Sequence, residues 1–207
     1  MSTPSGPEIR ARQRRERPLG IFCVEGAWST KLTSKASVRD LLELLEKVDG
    51  IRFIHHPVDS VEGLFDAVRR WNQKQYARYS LGYFAFHGEP GRIQIGRRTV
   101  SLQALGEALR GSSGKILYFG SCSVLRVPSR ELDAFCDLCG SPCIIGFTRD
   151  VEWLESAALD LILLDAIARR RDPSGVRQWL VREFRGLADR LGLRVCCASA
   201  FGGPQIR

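Results

Sequence analysis

Apolar positions along the chain follow two alternating rhythms. Short unbroken runs occur at Gly20 to Gly26 (GIFCVEG), Ile51 to His55, Leu81 to His87, Lys115 to Gly120 and Cys143 to Phe147. Their length and their β-branched or aromatic content predict buried strands. Between them, apolar residues recur at helical spacing. Val38, Leu41, Leu42 and Leu45 follow Ser37, with Asp40 where a capping box places an acid. Val61, Leu64, Phe65, Val68 and Trp71 follow Asp59 or Ser60, and Leu102, Leu105 and Leu109 follow Ser101. Further helices are expected over about 131–139 and over about 152–170, the latter with Leu154, Ala158, Leu161, Ile162 and Asp165 along one side. Beyond a break at Asp172-Pro173, one helix carrying Val176, Leu180, Phe184, Leu187 and Leu191 precedes a last strand over about 194–200. A short edge hairpin is expected at 92–96. Alternation of this kind, with no internal repeat, predicts one α/β three-layer sandwich: a mostly parallel central sheet with helices on both faces.

Composition narrows the class. A chain of 207 residues, 44% hydrophobic and 26% charged, suits one domain with a sizeable core. No apolar run approaches the roughly 18 residues of a membrane span, and the basic N-terminus lacks the apolar core of a secretory signal. A cytoplasmic location is therefore expected, with most of the seven cysteines reduced. Much of the net charge of +8 is local: Arg10, Arg12, Arg14, Arg15 and Arg17 share the first eighteen residues with Pro4, Pro7 and Pro18. Residues 1–18 read as a flexible basic arm, the one part expected to touch nucleic acid, and a solvated tail is the plainer reading. The folded domain is expected over 19–207.

Two predicted strands end in reactive side chains. Tyr83-Phe84-Ala85-Phe86-His87-Gly88-Glu89 delivers an imidazole, and Ile116-Leu117-Tyr118-Phe119-Gly120-Ser121-Cys122-Ser123 delivers a thiol. Ligands bind open parallel sheets at the carboxyl ends of the strands. His87 and Cys122 are thus candidates for the base and nucleophile of acyl transfer. The amides of Gly88 and Cys122 are candidate donors to the oxyanion. Small neighbours leave room for a substrate backbone, and Ser121 is counted among the substrate contacts. Asp150, Glu152 and Glu25 follow predicted strands and are candidate acids for a pocket selecting Arg or Lys. For Asp150 and Glu152 a helix-start role is the simpler reading.

Other chemistries fit less well. Cys136, Cys139 and Cys143 have zinc-like spacing but lack a second ligand pair, and Phe135 and Leu138 mark that helix as buried. His55-His56-Pro57 reads as a turn with exposed imidazoles. Cys122 lacks the arginine of a phosphatase loop, since Pro128 stands at that position. No glycine-rich phosphate loop follows a strand. Neither a metal nor a cofactor is called for.

The order of these pieces resembles the caspase-like CHAT peptidases. The matching segments are Phe84 to Gly91 (FAFHGEPG), Ser101 to Leu109 (SLQALGEAL), Ile116 to Ser123 (ILYFGSCS) and Ile144 to Val151 (IIGFTRDV), within roughly residues 81–170. The resemblance implies a caspase-like fold and a cysteine endopeptidase with a His/Cys dyad working without metal on a protein or peptide substrate. It also implies an activating or regulatory protein partner and a setting in bacterial defence or programmed death. The chain departs from the family at Arg149, where an aromatic residue is usual, and it lacks the caspase Gln-Ala-Cys-x-Gly pentapeptide. Two rival readings follow from the same residues: a binding or scaffolding module of this fold without hydrolysis, and a thiol enzyme acting on something other than peptide.

Overall fold

The computed structural model describes residues 18–197 except 32, 171 and 172. The arginines of the basic arm, the Asp172 break and the expected strand residues beyond 197 lie outside the described residues. The chain runs β1 (Ile21–Glu25), α1 (Arg39–Asp49), β2 (Phe53–Pro57), α2 (Val61–Trp71), a 3₁₀ turn at Lys74–Tyr76, β3 (Leu81–Ala85), β4 (His87–Glu89), β5 (Arg92–Ile95) and β6 (Arg98–Ser101). It continues through α3 (Leu102–Ala108), β7 (Ile116–Phe119), α4 (Ser129–Cys139), β8 (Cys143–Phe147), α5 (Trp153–Arg170), α6 (Pro173–Glu183), α7 (Arg185–Leu191) and β9 (Leu193–Cys197). Among the described residues, no helix is long and apolar enough to cross a membrane.

Six strands form the main sheet in the order β2-β1-β3-β7-β8-β9, and only β9 is antiparallel to its neighbour. Right-handed crossovers then dictate where the helices lie. The step from β1 to β2 runs one way along the sheet, whereas β2 to β3, β3 to β7 and β7 to β8 run the other. Helix α1 must therefore sit on one face and α2, α3 and α4 on the opposite one. The two cores obey this rule. Val61, Leu64, Val68, Leu105, Leu132 and Phe135 pack with Phe22, Val24, Phe84 and Phe119 on the first face. Leu42 and Leu45 of α1, joined by Leu159, Leu163 and Ile167 of α5, pack with Cys23, Tyr83, Tyr118 and Ile145 on the second. The result is a three-layer α/β/α architecture.

Local chemistry sets the helix starts. Ser60 accepts a hydrogen bond from the Gly63 amide and Ser101 from the Ala104 amide, both at 3.2 Å, which caps α2 and α3. At the opposite end of the sheet from the strand C-termini, buried Lys115 donates to the Trp71 carbonyl and to Asn72 Oδ1, both at 2.8 Å. Burial lowers its pKa to about 8.

The structure revises several expectations. The third strand stops at Ala85, Phe86 bends, and His87 opens a second, three-stranded antiparallel sheet β4-β5-β6 in place of a simple hairpin. The helix expected after Pro173 divides at Phe184, whose φ of −129° leaves the helical region. His55 and His56 belong to β2 rather than to a turn, and His55 is half-buried with Nε2 2.6 Å from Glu25 Oε2. Cys143 and Cys197, directly opposite in the β8–β9 register, form a disulfide, so this pair departs from the expected reduced thiols.

Candidate active site

The main sheet changes winding direction between β1 and β3. In open α/β sheets, the crevice at the strand C-termini beside such a switch is where ligands bind. Glu25 ends β1 there, His87 follows β3, and Cys122 follows β7 on the other side of β3. Side chains alternate between faces along a strand. Phe84, Phe86 and Phe119 belong to the first face. His87 and Cys122 lie beyond the ends of β3 and β7, so their contacts place them. Cys122 Sγ accepts from the Val151 amide at 3.5 Å, and Val151 packs on the second-face core. The His87 ring lies edge-on to Trp28 with centroids 5.2 Å apart, and Trp28 packs on that same core. Imidazole and sulfur thus emerge on one side of the sheet.

Glycines let the two strand ends close together. A Cβ on Gly88 would sit 2.5 Å from Val124 Cγ2 and closer still to the Cys122 carbonyl oxygen. A Cβ on Gly120 would sit 2.5 Å from Cε2 of the Tyr83 ring. The backbone beside the histidine therefore lies directly against the backbone of the thiol residue, where no side chain fits. Ser121, expected as a substrate contact, is 1% exposed. Its hydroxyl accepts from the Phe86 amide at 3.2 Å and donates to the Phe84 carbonyl at 3.3 Å, so it ties β3 to the β7 end instead. Ser123, directly after the thiol residue, adopts a positive φ of 45°, a conformation uncommon outside glycine. Among the described residues the Cys122 amide has no acceptor, whereas the Ser123 amide donates to the Arg149 carbonyl at 2.9 Å.

The histidine is held by one nitrogen. His87 Nε2 lies 3.0 Å from the Trp28 carbonyl oxygen. A carbonyl only accepts, so Nε2 carries the proton, and in the neutral ring Nδ1 bears the lone pair. His87 is exposed and can therefore exchange protons with a bound substrate or water.

Glu25 fixes the segment that supplies that carbonyl. Its carboxylate is 4% exposed and accepts from Trp28 Nε1 at 2.5 Å, the Val38 amide at 2.7 Å and the Ser37 hydroxyl at 2.6 Å, with His55 Nε2 at 2.6 Å. Burial opposes ionisation, but the bonds from His55, Ser37, Trp28 and Val38 outweigh it and hold the carboxyl below the usual range. The expected substrate acid is thus enclosed by donors and supports the site from beneath. Asp150 is exposed, and its Oδ1 accepts from Ser123 Oγ at 2.8 Å, bracing the turn after Cys122. Glu152 is exposed one residue before α5 begins.

Other thiols sit differently. Burial pushes Cys23 well up, Cys136 up to about 12, and Cys139 up as well, so these stay protonated. Cys122 is half-buried at the rim. Cys136 and Cys139 lie on the first face and Cys143 on the second, which separates the zinc-like trio.

Three contributors escaped the sequence reading. Trp28 acts through a backbone carbonyl, which leaves no trace in residue type. Trp153 stands edge-on to Trp28 at 4.8 Å. Asp160 is buried in α5, accepting from the hydroxyls of Tyr83, at 2.5 Å, and Tyr118. Burial raises its pKa to about 6 against the opposing effect of those two bonds. Its signal was present: an acid three, four and seven residues before Leu163, Leu164 and Ile167 interrupts a buried stripe.

Residues 19–196 match the model of the family of unknown function DUF6642, and the chain belongs to that family. No curated protein matches it.

Proposed function

We propose that this DUF6642 protein is a caspase-like cysteine endopeptidase, with Cys122 as nucleophile and His87 as base and acid. The observation that carries the reading is the tethered imidazole: Nε2 bound to the Trp28 carbonyl and Nδ1 left as a base, on the same side of the sheet as a half-buried thiol. In the reaction, His87 Nδ1 takes the thiol proton and the sulfur attacks the scissile carbonyl carbon. The Cys122 amide, with that of Gly88 beside it, faces the oxygen as it gains charge. The proton on Nδ1 passes to the leaving nitrogen and the C–N bond breaks. His87 then takes a proton from a water that attacks the thioester carbonyl, the C–S bond breaks, and the proton returns from Nδ1 to the Cys122 sulfur as the acid product leaves.

Glu25, Ser37 and His55 act as positioning residues, because they hold Trp28 and so the ring. Asp150, through Ser123, sets the turn that presents the sulfur. An activating protein partner and a role in defence or programmed death complete the proposal by resemblance to the CHAT peptidases alone, and a cytoplasmic location by the composition and hydropathy of the sequence.

The test is incubation of the full chain with an unfolded protein substrate and mass-spectrometric mapping of new termini. Cleavage is expected with wild type and absent with Cys122→Ala and His87→Ala. Cleavage that persists in Cys122→Ala, or no Cys122-dependent cleavage by wild type either alone or with cell lysate added, overturns the reading.

A further inference from the structure

We propose that the site accepts a large apolar or aromatic side chain on the amino side of the scissile bond, seated against Trp28, Trp153 and Leu154. The inference rests on the peptidase reading and adds the substrate class. Among the described residues only four large hydrophobics are exposed: Leu44 and Val48 on α1, and the consecutive pair Trp153, at 43%, and Leu154, at 80%. The second pair begins α5 two residues beyond Val151, whose amide touches Cys122 Sγ. Trp28 adjoins this pair. Its indole stands 4.8 Å from that of Trp153 and 5.2 Å from the His87 ring. The indole is anchored through Nε1 to Glu25, so its ring is fixed before any substrate arrives.

Apolar surface thus adjoins both the His87 ring and the segment whose amide meets Cys122 Sγ. Apolar surfaces at a substrate site take their affinity from apolar contact. The acids that would select Arg or Lys are largely committed elsewhere: Glu25 is enclosed, Asp150 accepts from Ser123, and Glu155 pairs with Arg190 at 3.0 Å. Asp150 and Glu152 are exposed acids of the turn, and the same segment carries the exposed Arg149.

The experiment compares peptidyl acyloxymethyl ketones that differ only in the residue next to the ketone: Phe, Leu, Arg or Asp. Labelling forms a thioether between Cys122 Sγ and the ketone methylene, expels the carboxylate, and leaves the thiol proton on His87. Rates are read by intact mass on the full chain. The Phe and Leu probes are expected to react at least tenfold faster than the Arg and Asp probes. Trp153→Ala is expected to bring the four probes to comparable rates, the preference being read as the ratio of rates within each variant. Leu154→Ser, at a surface position that folding does not need, is expected to reduce it by a smaller factor. Faster labelling by the Arg or Asp probe, or an order unchanged in both variants, overturns the proposal and leaves the peptidase reading standing. Iodoacetamide alkylation of Cys122 with no labelling by any peptidyl probe overturns both.

Discussion

Replacing Glu25 tests how the site is built. Oε1 accepts from Trp28 Nε1 and the Val38 amide, which can only donate. Oε2 faces the Ser37 hydroxyl and His55 Nε2, both of which can reverse and accept. Gln therefore fits in one orientation: its carbonyl stays with Trp28 and Val38, and its NH₂ donates to Ser37 and to neutral His55. What is lost is charge assistance, so Glu25→Gln should cost about 1–3 kcal/mol. Glu25→Ala leaves an indole N–H and an amide without acceptors, at about 1–3 kcal/mol each, and leaves a void as well. The total is roughly 3–6 kcal/mol, a large part of a domain's net stability. The pH dependence has a definite sign. The carboxyl is held below its usual value, so its stabilisation is present above the unfolded pKa of about 4.3 and is lost as pH falls through the folded value. The Gln deficit should therefore shrink on acidification, because wild type then also carries a neutral group. Urea unfolding followed by tryptophan fluorescence at pH 7 and at successive steps below pH 4 gives both numbers. An Ala variant within about 1 kcal/mol of wild type would refute the reasoning, as would a Gln deficit that grows in acid.

Three other substitutions probe separate links. Gly88→Ala pushes a methyl into Val124 and the Cys122 carbonyl, so a loss of about 1–3 kcal/mol together with loss of Cys122 probe labelling is expected by thermal melting and intact mass. Gly120→Ala meets the Tyr83 ring and should destabilise similarly. Asp160 faces Tyr83 on β3, Tyr118 on β7 and, electrostatically, Cys23 on β1. Its raised pKa of about 6 means the native state holds an extra proton between about pH 4 and that value, so stability falls across this window by about 1–3 kcal/mol. Asp160→Asn should flatten that stretch of the unfolding profile, and an unchanged slope would show that the acid titrates elsewhere.

Much of the architecture was legible because parallel strands buried on both faces are nearly continuous apolar runs. The Ser60 and Ser101 caps and the β7 run appeared where residue type and period required them, and α5 formed where expected, but it buries Leu159, Leu163, Leu164 and Ile167 rather than the expected side through Leu154 and Ala158, both of which are exposed. The ends of elements were less legible. Leu81 to His87 reads as one run, yet Phe86 buries toward the first face while His87 begins a separate sheet. That bend arises from the β4–β5 pairing, which is not a local property. Within the site, Cys122 and His87 stood out by type and position. Glu25 was visible as an acid ending a strand, but not as a hub, because Ser37 and His55 reach it from 12 and 30 residues away. The Trp28 carbonyl had no sequence signature at all. Cys197 paired with Cys143 only because β9 returns antiparallel to β8.

The most direct measurement is the crystal structure of the chain reacted with a peptide aldehyde ending in phenylalanine. The account predicts a hemithioacetal on Cys122 Sγ, its oxygen within hydrogen-bond reach of the Cys122 amide or His87 Nδ1, and Nε2 still bound to the Trp28 carbonyl. An adduct on another cysteine, or a His87 ring turned away from the sulfur with Trp28 unbound, would contradict it.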